Sequence, residues 1–97
     1  MVLQPGESIG AHDHGEYEKP GIVGAVYVVE GVETNRFYHL VDGSLVEDSL
    51  QELTAGQSLV LTSELIHSVE NRTNQRAISL HAYLHAQGDP RTKKRRF

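Results

Sequence analysis

Apolar and polar residues alternate along most of this chain in short runs broken by turn signals, the pattern of an all-β sandwich or barrel. Pro5-Gly6 opens the first turn, and residues 8–14 can run extended. The stretch 15–21 is polar and holds Gly15, Pro20 and Gly21, so it reads as a loop. Residues 22–29 are rich in β-branched side chains (Val23, Val26, Val28, Val29) and end at Glu30-Gly31, which makes this the clearest strand. A further strand spans 32–41 with Phe37 and Tyr38 at its centre, and Asp42-Gly43 is a two-residue hairpin signal. Residues 50–53 lead to Ala55-Gly56, and 58–61 form another buried-looking strand. Residues 66–69, the Asn71-Arg72-Thr73-Asn74 turn and residues 77–84 complete the set. Only 47–53 has helical character, and it is too short to hold a helix alone.

At 97 residues the chain has room for one core, and a bound metal or a partner subunit would add to its stability. We divide it into a single domain over residues 1–88 and a basic C-terminal tail over residues 89–97. There is no cysteine, which excludes disulfides, thiolate ligands and a cysteine nucleophile. No apolar run approaches a membrane span and the first residues lack signal-peptide character, so a soluble, cytoplasmic protein with no membrane partner is expected. The net charge of −4 is unevenly spread. Residues 1–90 hold four basic side chains against 13 acids, a body that repels nucleic acid phosphates. Arg91, Lys93, Lys94, Arg95 and Arg96 read as a solvated, disordered end.

Six histidines in so short a chain call for inspection. His12 and His14 are two apart, so on a strand both imidazoles project from one face and suit adjacent positions on a metal ion. Spacing alone fits an exposed polar strand as well. Gly6, five residues, then His12-Asp13-His14 resembles the first cupin motif, G-x5-H-x-H. Gly56, Thr62, Glu64, His67 and Asn71 fall at the spacings of the second, G-x5-P-x-G-x2-H-x3-N, with Thr62 replacing the proline and Glu64 the second glycine. The resemblance covers most of the chain and implies a cupin double-stranded β-helix, a jelly-roll barrel. It also implies one divalent metal held by His12, His14 and His67. Cupins usually add a carboxylate. Counting forward from His14 gives Glu18; counting back from the strand end at Val28-Val29-Glu30-Gly31 gives Gly24. The strand count is preferred, because a ligand needs a rigid inward position, so three neutral histidines are expected, with Glu18 as the optional fourth ligand.

A narrower resemblance is to the cysteine dioxygenase family, three-histidine thiol dioxygenases within the cupins. It rests on His12-Asp13-His14, on Ile66-His67-Ser68-Val69-Glu70-Asn71 and on Ile78-Ser79-Leu80-His81-Ala82-Tyr83. In that family a serine, histidine and tyrosine spaced by two form a hydrogen-bonded relay beside the iron, and Ser79, His81 and Tyr83 match it. A tyrosine–cysteine cross-link found in some members would fall near Gly24 and cannot form here. From the residues alone, Ser79, His81 and Tyr83 share one strand face and Leu80, Ala82 and Leu84 the other. Either the leucine face is core and the polar face solvated, or the polar face lines a cavity and the leucine face needs cover. In the second case a homodimer partner is the natural cover.

The resemblance implies an oxidoreductase that adds O2 to the sulfur of a small thiol at Fe(II), with Ni, Mn or Zn as other occupants. Tyr83 would hydrogen-bond substrate or oxygen, with His81 and Ser79 fixing it. The alternatives are a metal-binding cupin with a non-thiol small-molecule substrate and a non-enzymatic ligand-binding cupin. The family's helical segment, with its carboxylate-binding arginine, has no counterpart in the eleven residues before His12, which leaves Arg36, Arg72 or Arg76 for that role. His39 and His85 read as surface residues, Tyr27 as core or cavity wall, and Asp13 and Glu70 as facing away from the ligands.

Overall fold

Among the residues described by the computed structural model, which are 1–13, 22–83 and 95–96, the regular structure is entirely β. The strands are β1 (Val2–Leu3), β2 (Ser8–Asp13), β3 (Ile22–Glu30), β4 (Val32–Val41), β5 (Ser44–Thr54), β6 (Ser58–Thr62), β7 (Ile66–Glu70), β8 (Ala77–Tyr83) and β9 (Arg95–Arg96). They form two antiparallel sheets, β1-β8-β3-β6 and β5-β4-β7-β2-β9. The chain crosses from one sheet to the other at nearly every connection, so the two inner faces enclose one interior, as a jelly roll does. No helix among the described residues is long and apolar enough to cross a membrane.

Local chemistry explains the turns. Asp42 and Gly43 both have positive φ (50° and 80°), as the tight hairpin between β4 and β5 requires. Gly31 (φ 80°) joins β3 to β4 where an added Cβ would strike the Arg76 carbonyl oxygen. The segment with helical character, 47–53, is strand instead: β5 pairs with β4 from Val32↔Thr54 to Val41↔Ser44, with one bulge at Asp48. Its side chains are mostly exposed, so the hairpin and the cross-strand ladder set its conformation rather than its own polar sequence.

The apolar core gathers around Val26 and Leu61, with Leu59 and Leu65 packed against them. Val28, Leu53, Val69, Ala77 and Leu3 are buried further along the barrel. Asn71 ties off one end. Its Nδ2 donates to the carbonyls of Leu3 and Gln75, and its Oδ1 accepts from the backbone and hydroxyl of Thr73. The motif asparagine is therefore a clamp for the turn after β7 and for β1. Two residues of the basic segment, Arg95 and Arg96, pair with His12 and Asp13 as an edge strand, where the charge pattern alone predicts a solvated end. The rest of that segment lies outside the described residues.

Candidate metal centre

His12 and His67 come together across a strand pair. They are direct partners in the β2–β7 ladder, and a bulge between Ile9 and His12 sets that register. Both are buried, with ring centroids 4.7 Å apart and planes tilted by 58°. Each ring is oriented by an oxygen. The His12 Nδ1–H donates to the Gly10 carbonyl at 2.8 Å, and the His67 Nδ1–H donates to Asn35 Oδ1 at 3.1 Å. A carbonyl oxygen only accepts, so in both rings the proton sits on Nδ1 and the lone pair on Nε2. This is the arrangement that metal-ligating histidines use to fix ring and tautomer. Phe37 stacks against His67 from its cross-strand position, centroids 6.4 Å apart. The donor chemistry and the buried setting fit a divalent ion. Among the described residues no third ligating side chain completes a cluster. His14, expected as the third ligand, and Glu18, the optional fourth, lie outside the described residues.

Opposite them, the inner face of β8 is polar. The Ser79 hydroxyl and His81 Nε2 are 2.9 Å apart, and His81 Nδ1 and the Tyr83 hydroxyl are 3.2 Å apart. Ser79 is fully buried, His81 partly buried, and Tyr83 is 38% exposed. Burial raises the Tyr83 pKa above its ordinary value of 10.0, which keeps the phenol protonated at neutral pH. Gly24 is the Cα partner of Tyr83, and a Cβ there would meet the Ala82 carbonyl oxygen and lie 3.1 Å from the Tyr83 ring. The position that the strand count gives for a cupin carboxylate is thus taken up by the tyrosine.

Several alternatives resolve. The leucine face of β8 is not core: Leu80 is 63% exposed. Tyr27, its cross-strand neighbour, is exposed on the same outer face. Arg36, half-buried, is bound to Glu47 and Glu70, and Arg76 is bound to Glu30 on the exposed surface, while Arg72 is itself exposed. His39 is a surface residue paired with Asp48, and His85 lies outside the described residues. Asp13, expected to face away from the ligands, is buried.

Solved structures of similar shape agree on the architecture. Oxalate decarboxylase from Bacillus subtilis, a protein with Mn(II) centers, superimposes with a TM-score of 0.68 over 98% of this chain and 22% of its own, at 18% identity. A double-stranded β-helix protein of Klebsiella pneumoniae subsp. pneumoniae gives 0.51 over 88% and 70%, also at 18% identity. The fold is the cupin double-stranded β-helix. Peruvianin-I, a cysteine peptidase from Thevetia peruviana latex, matches at 25% identity and TM-score 0.64 over 95% of this chain and 50% of its own. The 97 residues hold no cysteine, so they supply no thiol nucleophile of that kind. The chain spans half or less of Peruvianin-I and of the decarboxylase. No family model matches it.

In this barrel, two further interior residues have no counterpart in the sequence motifs. Asn35 holds His67, and Glu33, two residues earlier on the same face of β4, is 0% exposed. Polar residues at two-residue spacing, Glu33 and Asn35, ahead of Phe37 in β4 were the available signal.

Proposed function

We propose that this cupin is a metal-dependent oxidoreductase of the thiol dioxygenase type, with His12, His14 and His67 as ligands and Fe(II) as the ion, Mn, Ni or Zn being the other occupants. The reaction adds both atoms of O2 to the sulfur of a small thiol, giving a sulfinic acid with no external reductant. The observation that carries this reading is the pair of buried imidazoles, His12 and His67, each with Nδ1 held by an oxygen so that Nε2 presents its lone pair. An ion held by neutral imidazoles would keep its full charge and favour a thiolate beside it, and a redox-active ion such as Fe(II) would supply the one-electron chemistry that O2 requires.

The protein's own groups do the rest. Tyr83, kept as a phenol by burial, offers its hydroxyl to the substrate, and His81 and Ser79 fix its direction through the hydrogen bonds at 3.2 and 2.9 Å. Gly24 leaves the space in which the Tyr83 ring sits. Phe37 covers one face of His67 and keeps water from it. The outer face of the β1-β8-β3-β6 sheet exposes Val2, Tyr27, Val29, Val60 and Leu80. An uncharged face is complementary to itself, so a second copy of the chain is its natural cover, giving a homodimer. Nothing in the reading calls for nucleic acid or membrane, and it sits in the cytoplasm.

A cupin acting on a non-thiol small molecule is the second reading. It is favoured by the arginines, since among the described residues Arg36 and Arg76 are committed to carboxylates and Arg72 stands exposed on the turn after β7. The test is metal analysis of freshly purified protein joined to oxygen-electrode traces with cysteine and 3-mercaptopropionate. Iron near one equivalent and thiol-dependent oxygen uptake are expected. Iron-loaded protein that consumes no oxygen with any thiol overturns the dioxygenase reading and leaves the second. His12→Ala with unchanged metal content overturns the metal centre itself.

A further inference from the structure

Among the described residues, the buried side-chain polar atoms that lack a hydrogen-bond partner in the protein all belong to β4. They are both carboxyl oxygens of Glu33 and the Nδ2 of Asn35. Each residue is 0% exposed. Asn35 has already committed its Oδ1 to the Nδ1–H of His67, at 3.1 Å. The neighbours across the ladders offer nothing to the rest: Leu53 and Val69 are buried and apolar, and Gln51 is exposed. Glu33 and Asn35 are two residues apart on one strand, so their side chains stand side by side on its inner face, with Cα atoms about 7 Å apart. They do not bond to each other. Their spacing suits two hydrogen bonds in series instead, each about 2.8 Å long.

We propose that Asn35 Nδ2 and the Glu33 carboxyl together hold one buried water molecule behind His67, and that this water keeps the Asn35 amide turned with its oxygen toward the histidine. This rests on the reading of His67 as a metal ligand, because the amide matters through what it does to that ring. The chemistry of the site selects water. It presents N–H donors on one side and a carboxyl oxygen that accepts on the other, whether or not the carboxyl carries a proton. A cation would be repelled by the N–H groups and an anion by the carboxyl, whereas water accepts from the first and donates to the second. Full burial leaves room for nothing larger to enter from outside. An amide can be turned over with little change of shape, which exchanges its oxygen and nitrogen. Turned over, Asn35 would donate to His67 Nδ1, and that ring would then carry its proton on Nε2, the nitrogen a metal needs. An acceptor at Glu33, reached through the water, holds Nδ2 on its own side. The Asn35 oxygen then stays on His67 and the Nε2 lone pair stays free. Glu33 is thus a positioning residue that acts through water and Asn35, by where it places an acceptor.

NMR of the full chain, freed of metal with a chelator and labelled with 15N on asparagine and histidine, tests this without turnover. We expect magnetisation to pass from a long-lived water both to the Asn35 side-chain N–H groups and to the Glu33 Hγ protons, and His67 Nδ1 to resonate as a protonated nitrogen. Glu33→Leu should lose the water contact and shift the His67 Nδ1 resonance toward that of an unprotonated nitrogen, since the amide then has no reason to keep one side. Glu33→Gln retains a carbonyl oxygen as acceptor and should restore both signals. The other contacts of His67 are common to the three proteins, so they cancel in the comparison. A wild type with no water at Asn35 overturns the proposal, even where the leucine variant fails to fold. So does a Glu33→Leu protein that keeps the water or leaves the His67 resonance in place, and so does a glutamine variant that behaves like the leucine one. Wild-type protein that binds no metal or oxidises no thiol sinks the reading of the site and leaves the water and amide results standing, so the two failures are separable.

Discussion

Replacing Glu33 by glutamine should change how the stability of this protein depends on pH, with a sign fixed by the structure. The carboxyl is fully buried without a hydrogen-bond partner, and burial raises its pKa above the ordinary value of 4.5, against the weaker opposing pull of Ser79 and the Met1 amino group. Below that ordinary value both folded and unfolded chains carry the proton, and Glu33 contributes no pH dependence. Above it the unfolded chain has lost the proton while the folded one keeps it. Unfolding then releases a proton, and stability falls as pH rises, by up to about 1.4 kcal/mol for each unit over which the folded carboxyl stays protonated. The fall ends when Glu33 ionises in the folded protein.

Glutamine keeps the volume and removes the titration. Any fixed cost of burying its amide is the same at every pH, and the other titrating groups cancel in the difference between the two proteins. Urea unfolding of wild type and Glu33→Gln, run at steps from about pH 4 to about pH 8, should show the wild type losing ground to the variant as pH rises. Parallel curves, or a wild type that gains on the variant with rising pH, refute the argument that desolvation dominates at this site.

Two further outcomes follow from the packing. Gly24→Ala forces a Cβ against the Ala82 carbonyl and the Tyr83 ring. It should cost about 1–3 kcal/mol, a Tm lower by roughly 4–8 °C for each kcal/mol, and a calorimetric Tm equal to wild type would refute the close approach. Leu80→Lys changes a residue that is 63% exposed and should leave the fold and Tm nearly unchanged. In light scattering it should convert a dimer to a monomer, and a variant that stays dimeric moves the interface elsewhere.

How much of this was legible beforehand depended on what each residue competes with. β3 and the Asp42-Gly43 hairpin could be read because β-branched density and a positive-φ turn act locally. β5 could not, since its polar run adopts a strand only through its pairing with β4. Motif spacing led to His67 opposite His12, but the bulge that sets their register leaves no mark beyond Gly10. Which face of β8 points inward was undecidable from alternation, because Leu80 and His81 serve equally well as core until the opposing sheet is known. Glu33 and Asn35 were missed for the converse reason: polar residues on a strand are expected outside.

That inversion is the strongest physical argument for a site. The interior carries His12, His67, Asn35, Glu33, Ser79 and His81, while Leu80, Tyr27 and Val60 stand outside. A barrel selected for stability alone would exchange the two sets, since an unpartnered carboxyl costs free energy when buried and exposed apolar area gains nothing. Apolar replacements of buried polar groups are often neutral or stabilising. The departures also have order: two imidazoles with matched tautomers on one sheet, and the hydrogen-bonded Ser79, His81 and Tyr83 on the other. Local rules broken together, on facing walls of one interior, are what a ligand-binding or reactive cavity requires. If Glu33→Leu and Asn35→Leu each raised stability while metal content stayed as in wild type, the polar interior would be a packing accident rather than a site.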